Sequence, residues 1–307
     1  MRGRAYKIAF QLRSLLGSEL TPAGRIALRY AVDAMERADP FLAQKNIDPP
    51  DCHFAKLEEL FDIDAVISFS EAWPYWEEGD RILKGKVSDL LLLDQSLFQG
   101  KHAGALRYFD GIASLARDNA ERIAEWAYQI GIRDACVLDL GAGTGEHARA
   151  FVRGGVAAQA LCVDFPFVVD KVADHRAAEV SWVSGDVRDL SLSTSQSLQS
   201  FNVVWISNVL HHYPENDCVR ILRGIRPHLE HNGRLLIHEY LVGAAGSQDL
   251  AASIQGLHFA LTTLGGRCFT RSELVNLVNE SLGYDRILEE LILPKSSVLV
   301  FGRGDNG

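Results

Sequence analysis

Val137-Leu-Asp-Leu-Gly-Ala-Gly-Thr-Gly-Glu146 is the stretch that decides the fold. A short apolar run carries an acidic residue near its end, and three glycines at alternate positions then lead into helix-forming sequence. Glycine serves where a backbone turns tightly and lets a ligand approach closely; elsewhere it only adds conformational entropy to be lost on folding. Glycines at 141, 143 and 145 do nothing for packing, so a bare turn without a ligand is disfavoured. The stretch reads as a buried strand, a ligand-binding turn and the start of a helix.

Outward from it, the C-terminal part repeats the same alternation. Short apolar runs stand at Ala135–Leu140, Ala160–Val163, Val180–Val183, Val203–Ile206, Arg234–His238 and Ser297–Phe301. Segments of helical character such as Asp217–Leu229 and Arg271–Ser281 lie between them. Strands alternating with helices predict a parallel sheet covered on both faces, an α/β Rossmann-like arrangement.

The first ~130 residues read instead as successive helices. Ile8, Leu12, Leu15 and Leu16 recur at helical spacing, as do Ala27, Ala31 and Ala34, with Ile26 and Tyr30 alongside. Thr21-Pro22 has the form of an N-cap followed by proline in the first turn. Asn46 to Asp51, with two prolines, predicts a loop. A helix rich in Leu, Ala and Arg is expected from about Ala103 to Gln129. The chain therefore divides into a helical N-terminal domain, residues 1–110, and an α/β domain, residues 111–307.

Composition narrows the function. With 31 Lys and Arg against 40 Asp and Glu, the formal net charge is -9. No basic stretch suggests a grip on phosphates, so no nucleic-acid partner is expected. No apolar run approaches the ~20 residues that span a bilayer, so no membrane partner is expected either. Gln11 and Arg13 interrupt what would be the apolar core of a signal peptide, which predicts an amphipathic helix and a cytoplasmic protein. Cys52, Cys136, Cys162, Cys218 and Cys268 form no C-x-x-C pair and read as free thiols. A small-molecule substrate is favoured.

Two cofactors can use the glycine turn. Gly143-Thr-Gly-Glu-His-Ala148 fits a G-x-G-x-x-A dinucleotide pattern. Asp139, however, would repel a pyrophosphate and attract the ammonium of a methionine moiety. Gly185-Asp186 follows the third strand, where a carboxylate can accept a hydrogen bond from an adenine amino group. Asp164 ends the second strand, placed for ribose hydroxyls with either cofactor.

The stretches VLDLGAGTG, VDFP, GDVRD and NVLHHYPENDCVRILRGIRPHLEHNGRLLIHEYL resemble class I S-adenosylmethionine-dependent methyltransferases. More narrowly they are similar to the O-methyltransferase family typified by the caffeic acid and hydroxyindole enzymes. The resemblance spans roughly residues 76–303 and is sharpest from Val137 to Glu239. It implies S-adenosylmethionine as cofactor, held by Asp139, Gly141, Gly143, Asp164, Phe165, Asp186, Val187 and Asn208. It implies a homodimer built through the helical N-terminal domain, which helps enclose the substrate, although residues 1–75 do not spell out a full winged helix. It also implies a place in natural-product biosynthesis.

In that family a histidine after the fourth strand is the general base, and His211 matches it, with Glu239 as its acidic partner. Both residues follow apolar strands and are expected at the carboxyl edge, where such sheets bind ligands. The glutamate can orient the imidazole and stabilise its protonated form. A phenol near pKa 10 and a histidine near 6.5 differ by about 5 kcal/mol, a gap that concerted methyl transfer can cover. A simple alcohol leaves roughly 12 kcal/mol. A phenolic oxygen, an acidic nitrogen or an enolisable carbon is therefore favoured over a simple alcohol, and the first two are the expected acceptors.

The family's second acidic residue, in a G-G-K-E-R-T segment, has no counterpart here: Gly265-Gly-Arg-Cys-Phe-Thr270 puts Cys268 in its place. Trp73, Trp76, Phe109, His212, His258 and Cys268 are candidate substrate contacts, with core packing as the competing role for the aromatic ones. Two other readings use the same fold. One is a metal-assisted C-methyltransferase acting on an α-keto acid, with His211, His212 and His258 as ligands, which leaves a metal cofactor open. The other is a non-catalytic cofactor-binding partner subunit.

Overall fold

The structure is a computed structural model and describes residues 2–44, 48–86, 93–173, 178–190, 200–243 and 247–303. Its centre is a seven-stranded sheet in the order β3-β2-β1-β4-β5-β9-β8. The strands are β1 (Ala135–Leu140), β2 (Ala157–Asp164), β3 (Val180–Ser184), β4 (Phe201–Ser207), β5 (Leu229–Glu239), β8 (Ile287–Ile292) and β9 (Ser297–Phe301). A two-residue pair, β6 (Leu241–Val242) with β7 (Phe269–Thr270), stands apart from it.

The first five strands in this order are parallel, as expected. At one edge the parallel pattern ends: β9 runs antiparallel to β5 and β8 antiparallel to β9. β8 was not anticipated. Its sequence, Ile287-Leu-Glu-Glu-Leu-Ile292, spaces apolar residues in pairs that suit a helix as well as a strand.

Each central strand is apolar on both sides because both faces are covered. Leu138, Val204 and Leu235 face α11 (Glu215–Ile225) and α13 (Arg271–Leu282). Val137, Trp205 and Leu236 face α8 (Ala105–Gln129) and α9 (Glu146–Arg153), and α10 (Pro166–Lys171) follows β2. The strand order reverses between β1 and β4, which places a ligand crevice beyond their carboxyl ends.

The helical part begins with α1 (Arg4–Leu12), α2 (Pro22–Ala38), α3 (Asp51–Leu60) and α4 (Ile63–Phe69). Short helices α5 (Trp73–Glu77), α6 (Gly79–Leu83) and α7 (Leu93–Phe98) follow. Thr21 caps α2 by accepting a hydrogen bond from Gly24 N, with Pro22 at the first position, as its sequence predicts. Among the described residues no strand precedes Ala135. Of the predicted loop from Asn46 to Asp51, residues 46 and 47 lie outside the described residues, and Asp51 already starts α3.

Two observations refine the two-part division. α8 runs unbroken through residue 110, and a C-terminal helix, α12 (Ser247–Thr262), is built into the helical core. Leu250, Ile254, Leu257 and Leu261 of α12 share that core with Leu28, Ala31 and Met35 of α2. Arg37 and the buried Asp249 join the two helices at 2.5 Å. α12 also borders the ligand crevice, so the helical layer reaches the site through a segment remote in sequence.

Candidate active site

The glycine turn takes the conformation its sequence demands. Gly141, Gly143 and Gly145 all have positive φ, at 72°, 57° and 77°. A Cβ on Gly141 would stand 2.5 Å from Val209 Cγ2, and one on Gly145 2.7 Å from Trp182 Cζ2. At Gly143 a Cβ would meet nothing within 4 Å. The expectation that none of the three serves packing is therefore corrected: packing fixes two of the glycines, while Gly143 faces open space in a cavity of about 750 Å³, a size suited to small-molecule binding.

Two buried carboxyls lie beneath this turn. Asp164 accepts hydrogen bonds from Gly143 N at 2.8 Å and Phe165 N at 2.7 Å, but burial still raises its pKa to about 6. Burial, followed by the nearby Asp164 charge, raises Asp139 to about 8. Asn208, just past β4, has a positive φ of 54°, and its Oδ1 is buried without a hydrogen-bond partner among the described residues. Asp139, Gly141, Gly143, Asp164, Phe165, Val187 and Asn208 all line the cavity.

Asp186 departs from expectation. Gly185 and Val187 line the cavity but Asp186 does not. Its carboxylate accepts from Arg188 Nε at 3.1 Å and Nη2 at 2.6 Å and from Arg188 N at 2.9 Å. Burial works against the ionised form, and the Arg188 hydrogen bonds outweigh it and hold the pKa below the usual carboxylate range. Arg188, two residues away, thus holds the carboxylate that the sequence assigns to the adenine.

His211 and Glu239 come together as predicted. His211 sits in a 3₁₀ turn, Leu210–His212, that follows β4, and Glu239 ends β5. The two side chains are almost fully buried, and Nδ1 lies 2.5 Å from Oε2. The other glutamate oxygen, Oε1, accepts from Val209 N at 3.1 Å and Leu210 N at 2.9 Å. In the tautomer whose Nδ1–H donates to Glu239 Oε2, Nε2 is the basic nitrogen of the ring. Phe259 stacks on the His211 ring, with centroids 3.8 Å apart and planes 14° from parallel. His211 lines the cavity, while Glu239 stands behind it. Gly266 belongs to the same arrangement, since any Cβ there would overlap the His211 carbonyl oxygen.

The remaining candidates divide. Phe109, His212 and His258 line the cavity. Trp73 does not: its indole N–H bonds Ser68 Oγ, and its ring carries the Arg4 guanidinium. Trp76 is fully buried behind His258 and donates from Nε1 to His258 Nδ1 at 3.2 Å. Cys268 packs with Phe259, Val242 and Ala252 away from the cavity, and burial pushes its thiol pKa well up. The position of the missing second carboxylate is thus occupied by an apolar contact.

The proposed metal triad is not assembled. Among the described residues no group of three or more His, Cys, Asp and Glu side chains is placed to hold a metal ion. His211 commits Nδ1 to Glu239 and His258 commits Nδ1 to Trp76.

Several cavity residues escaped sequence reasoning. Phe98, Tyr240, Gln255 and Phe259 line it, and only the helical spacing of Gln255, His258 and Phe259 hinted at a shared face. On the other face of the sheet His238 is held between Ser207 Oγ at 2.9 Å and Ser296 Oγ at 2.8 Å. His147 lies against Trp205 beside them. Burial lowers these imidazoles to about 3 for His238 and about 4 for His147, so both are neutral at pH 7.

A sequence profile for the O-methyltransferase domain matches residues 107–285, more than half of the chain. The chain belongs to this family. The match takes in the glycine turn, the His211–Glu239 pair and α12. It leaves out the helices from α1 to α7 and the β8–β9 hairpin that supplies Ser296. Strychnine O-methyltransferase of Strychnos nux-vomica is 25% identical over 150 residues, which are 47% of this chain and 39% of that protein. An O-methyltransferase of Aspergillus oryzae is 27% identical over 202 residues, 59% of this chain and 45% of that one. The chain spans less than half the length of these curated relatives.

Similarity of fold extends further. Human N-acetylserotonin methyltransferase, solved in complex with S-adenosylmethionine, superposes with a TM-score of 0.59 at 16% identity, covering 81% of this chain and 69% of that one. Mitomycin 7-O-methyltransferase gives 0.62 at 18% identity, covering 98% and 94%.

Proposed function

We propose that the chain is an S-adenosylmethionine-dependent methyltransferase of natural-product biosynthesis that methylates a phenolic oxygen or acidic nitrogen of a small molecule, with His211 as general base. The observation that carries this reading is the buried His211–Glu239 pair on the same cavity as the glycine turn. The residues present fit the cofactor. Asp139 and Asp164 are buried acids with no ion pair to a described Lys or Arg, and a ligand bearing an ammonium and a sulfonium compensates both. Gly143 leaves room for it and Asn208 Oδ1 awaits a donor.

When bound, the cofactor supplies a methyl group already activated on a sulfonium. The chain supplies position and a proton acceptor. His211 Nε2 takes the acceptor's proton as its oxygen or nitrogen attacks, and Glu239 stabilises the imidazolium that results. The two backbone N–H groups on Oε1 keep the carboxylate from turning away. Phe259 holds the imidazole plane, and Phe98 and Phe109 give the cavity aromatic walls suited to a planar acceptor.

Titration with S-adenosylhomocysteine and with NAD tests the cofactor assignment. Saturable binding of the first and none of the second is expected; the reverse would remove the basis of the proposal. We further propose that residues 1–110 form a dimerisation and lid region and that the protein is a cytoplasmic homodimer; light scattering at twice the chain mass checks the dimer. No helix among the described residues is long and apolar enough to cross a membrane.

A further inference from the structure

α12 presents Gln255, His258 and Phe259 to the cavity at positions i, i+3 and i+4, which share one helix face. Phe259 lies on the catalytic imidazole. His258 has its accepting nitrogen turned to Trp76: an indole N–H only donates, so His258 Nδ1 is the acceptor and the ring proton sits on Nε2. His258 therefore offers the cavity no acceptor. Gln255 differs. It is more than nine-tenths buried, and its Oε1 has no hydrogen-bond partner among the described residues. A buried carbonyl left unmet is costly, and because the Gln255 side chain lines the cavity a ligand's donor can meet it there. Rotation about the broad terminal torsion of glutamine is enough to turn the amide to such a group.

We infer that Gln255 selects the methyl acceptor by accepting a hydrogen bond from a second O–H or N–H group of that molecule. The inference rests on the methyltransferase reading and adds the substrate class. Gln255 stands one helical turn, about 6 Å, from Phe259 along the α12 axis. The selected acceptor is thus a planar aromatic molecule with the reacting hydroxyl at one end and a hydrogen-bond donor roughly one fused-ring width away. Phe98 and Phe109 line the same cavity and offer aromatic contact to such a ring system.

Two probes separate the donor from everything else: 2,6-dihydroxynaphthalene, and 6-methoxy-2-naphthol, whose far oxygen can only accept. Formation of S-adenosylhomocysteine gives kcat/KM for each, and naphthol fluorescence gives the affinity of each for the cofactor-free and S-adenosylhomocysteine-loaded protein. The dihydroxy compound is expected to be favoured on the order of ten- to hundred-fold, beyond the factor of about two for its equivalent hydroxyls. In Gln255→Met, which keeps the side-chain length and removes the carbonyl, that preference collapses. Equal values for the two probes in the wild type, no binding of either, or a preference that survives in Gln255→Met would overturn the inference. Binding preference without methyl transfer would support the Gln255 contact and count against the methyltransferase reading. Transfer without preference would do the reverse.

Discussion

Replacing Glu239 by Gln isolates the orienting role of the carboxylate. The amide keeps the shape of the acid, and its placement is dictated by the backbone. Val209 N and Leu210 N both donate to Oε1, so the amide oxygen must occupy that side. The NH₂ group is then left facing His211 Nδ1, 2.5 Å away in the wild type. Two donors cannot share that contact, and the imidazole responds by moving its proton to Nε2. The base lone pair is lost from the cavity side, and the imidazolium loses its counter-charge. The corresponding change in a serine-protease triad costs about 10⁴ in kcat. A loss of roughly 10³–10⁴, or about 4–5.5 kcal/mol of barrier, is expected here. Single-turnover formation of S-adenosylhomocysteine measures it, with cofactor affinity titrated alongside to show that binding is unchanged. The two residues act as a unit, so Glu239→Gln should slow a His211→Ala background very little. A fall of less than ten-fold in the single variant would refute the orienting role.

Asp139 gives a pH dependence of definite sign. Its carboxyl is protonated below about 8 in the free protein, whereas an ammonium ligand favours its ionised form. S-adenosylhomocysteine should therefore bind more tightly as pH rises, by up to about ten-fold per unit between pH 6 and 8, with release of close to one proton at pH 7; calorimetry in two buffers of different ionisation enthalpy measures the proton. Gly143→Ala places a methyl group in the open side of the turn and should weaken cofactor binding at least ten-fold, at about 1 kcal/mol of backbone strain. Equal affinities for the variant and wild type would mean that the cofactor does not pass this turn. Trp76→Phe strips His258 Nδ1 of its donor inside the core and should cost about 1–3 kcal/mol in urea denaturation.

The parts of the molecule that were legible in its sequence are those governed by local pattern. Ala135–Leu140 and Ser297–Phe301 coincide with β1 and β9, because central strands buried on both faces are short unbroken apolar runs. The glycine turn and the His211–Glu239 pair follow such strands directly. What stayed hidden depends on contacts distant in sequence. Nothing local places α12 against α2, or turns Gln255 and Phe259 toward a histidine more than forty positions away. Trp76 has the composition of a substrate-binding aromatic, but its packing against α12 puts it behind His258. Asp186 lies in a motif that suggests an adenine contact, and the motif does not reveal that Arg188 also bonds its carboxylate.

The account stands on His211 as the base of a methyl transfer. The direct measurement compares wild type and His211→Ala for product methylation in a single turnover, using a phenol that binds both, with cofactor affinity determined on the same samples. The account predicts transfer by the wild type and a loss of at least a hundred-fold in the variant, with S-adenosylmethionine bound equally by the two. Transfer by His211→Ala at a rate within a few-fold of wild type would contradict it.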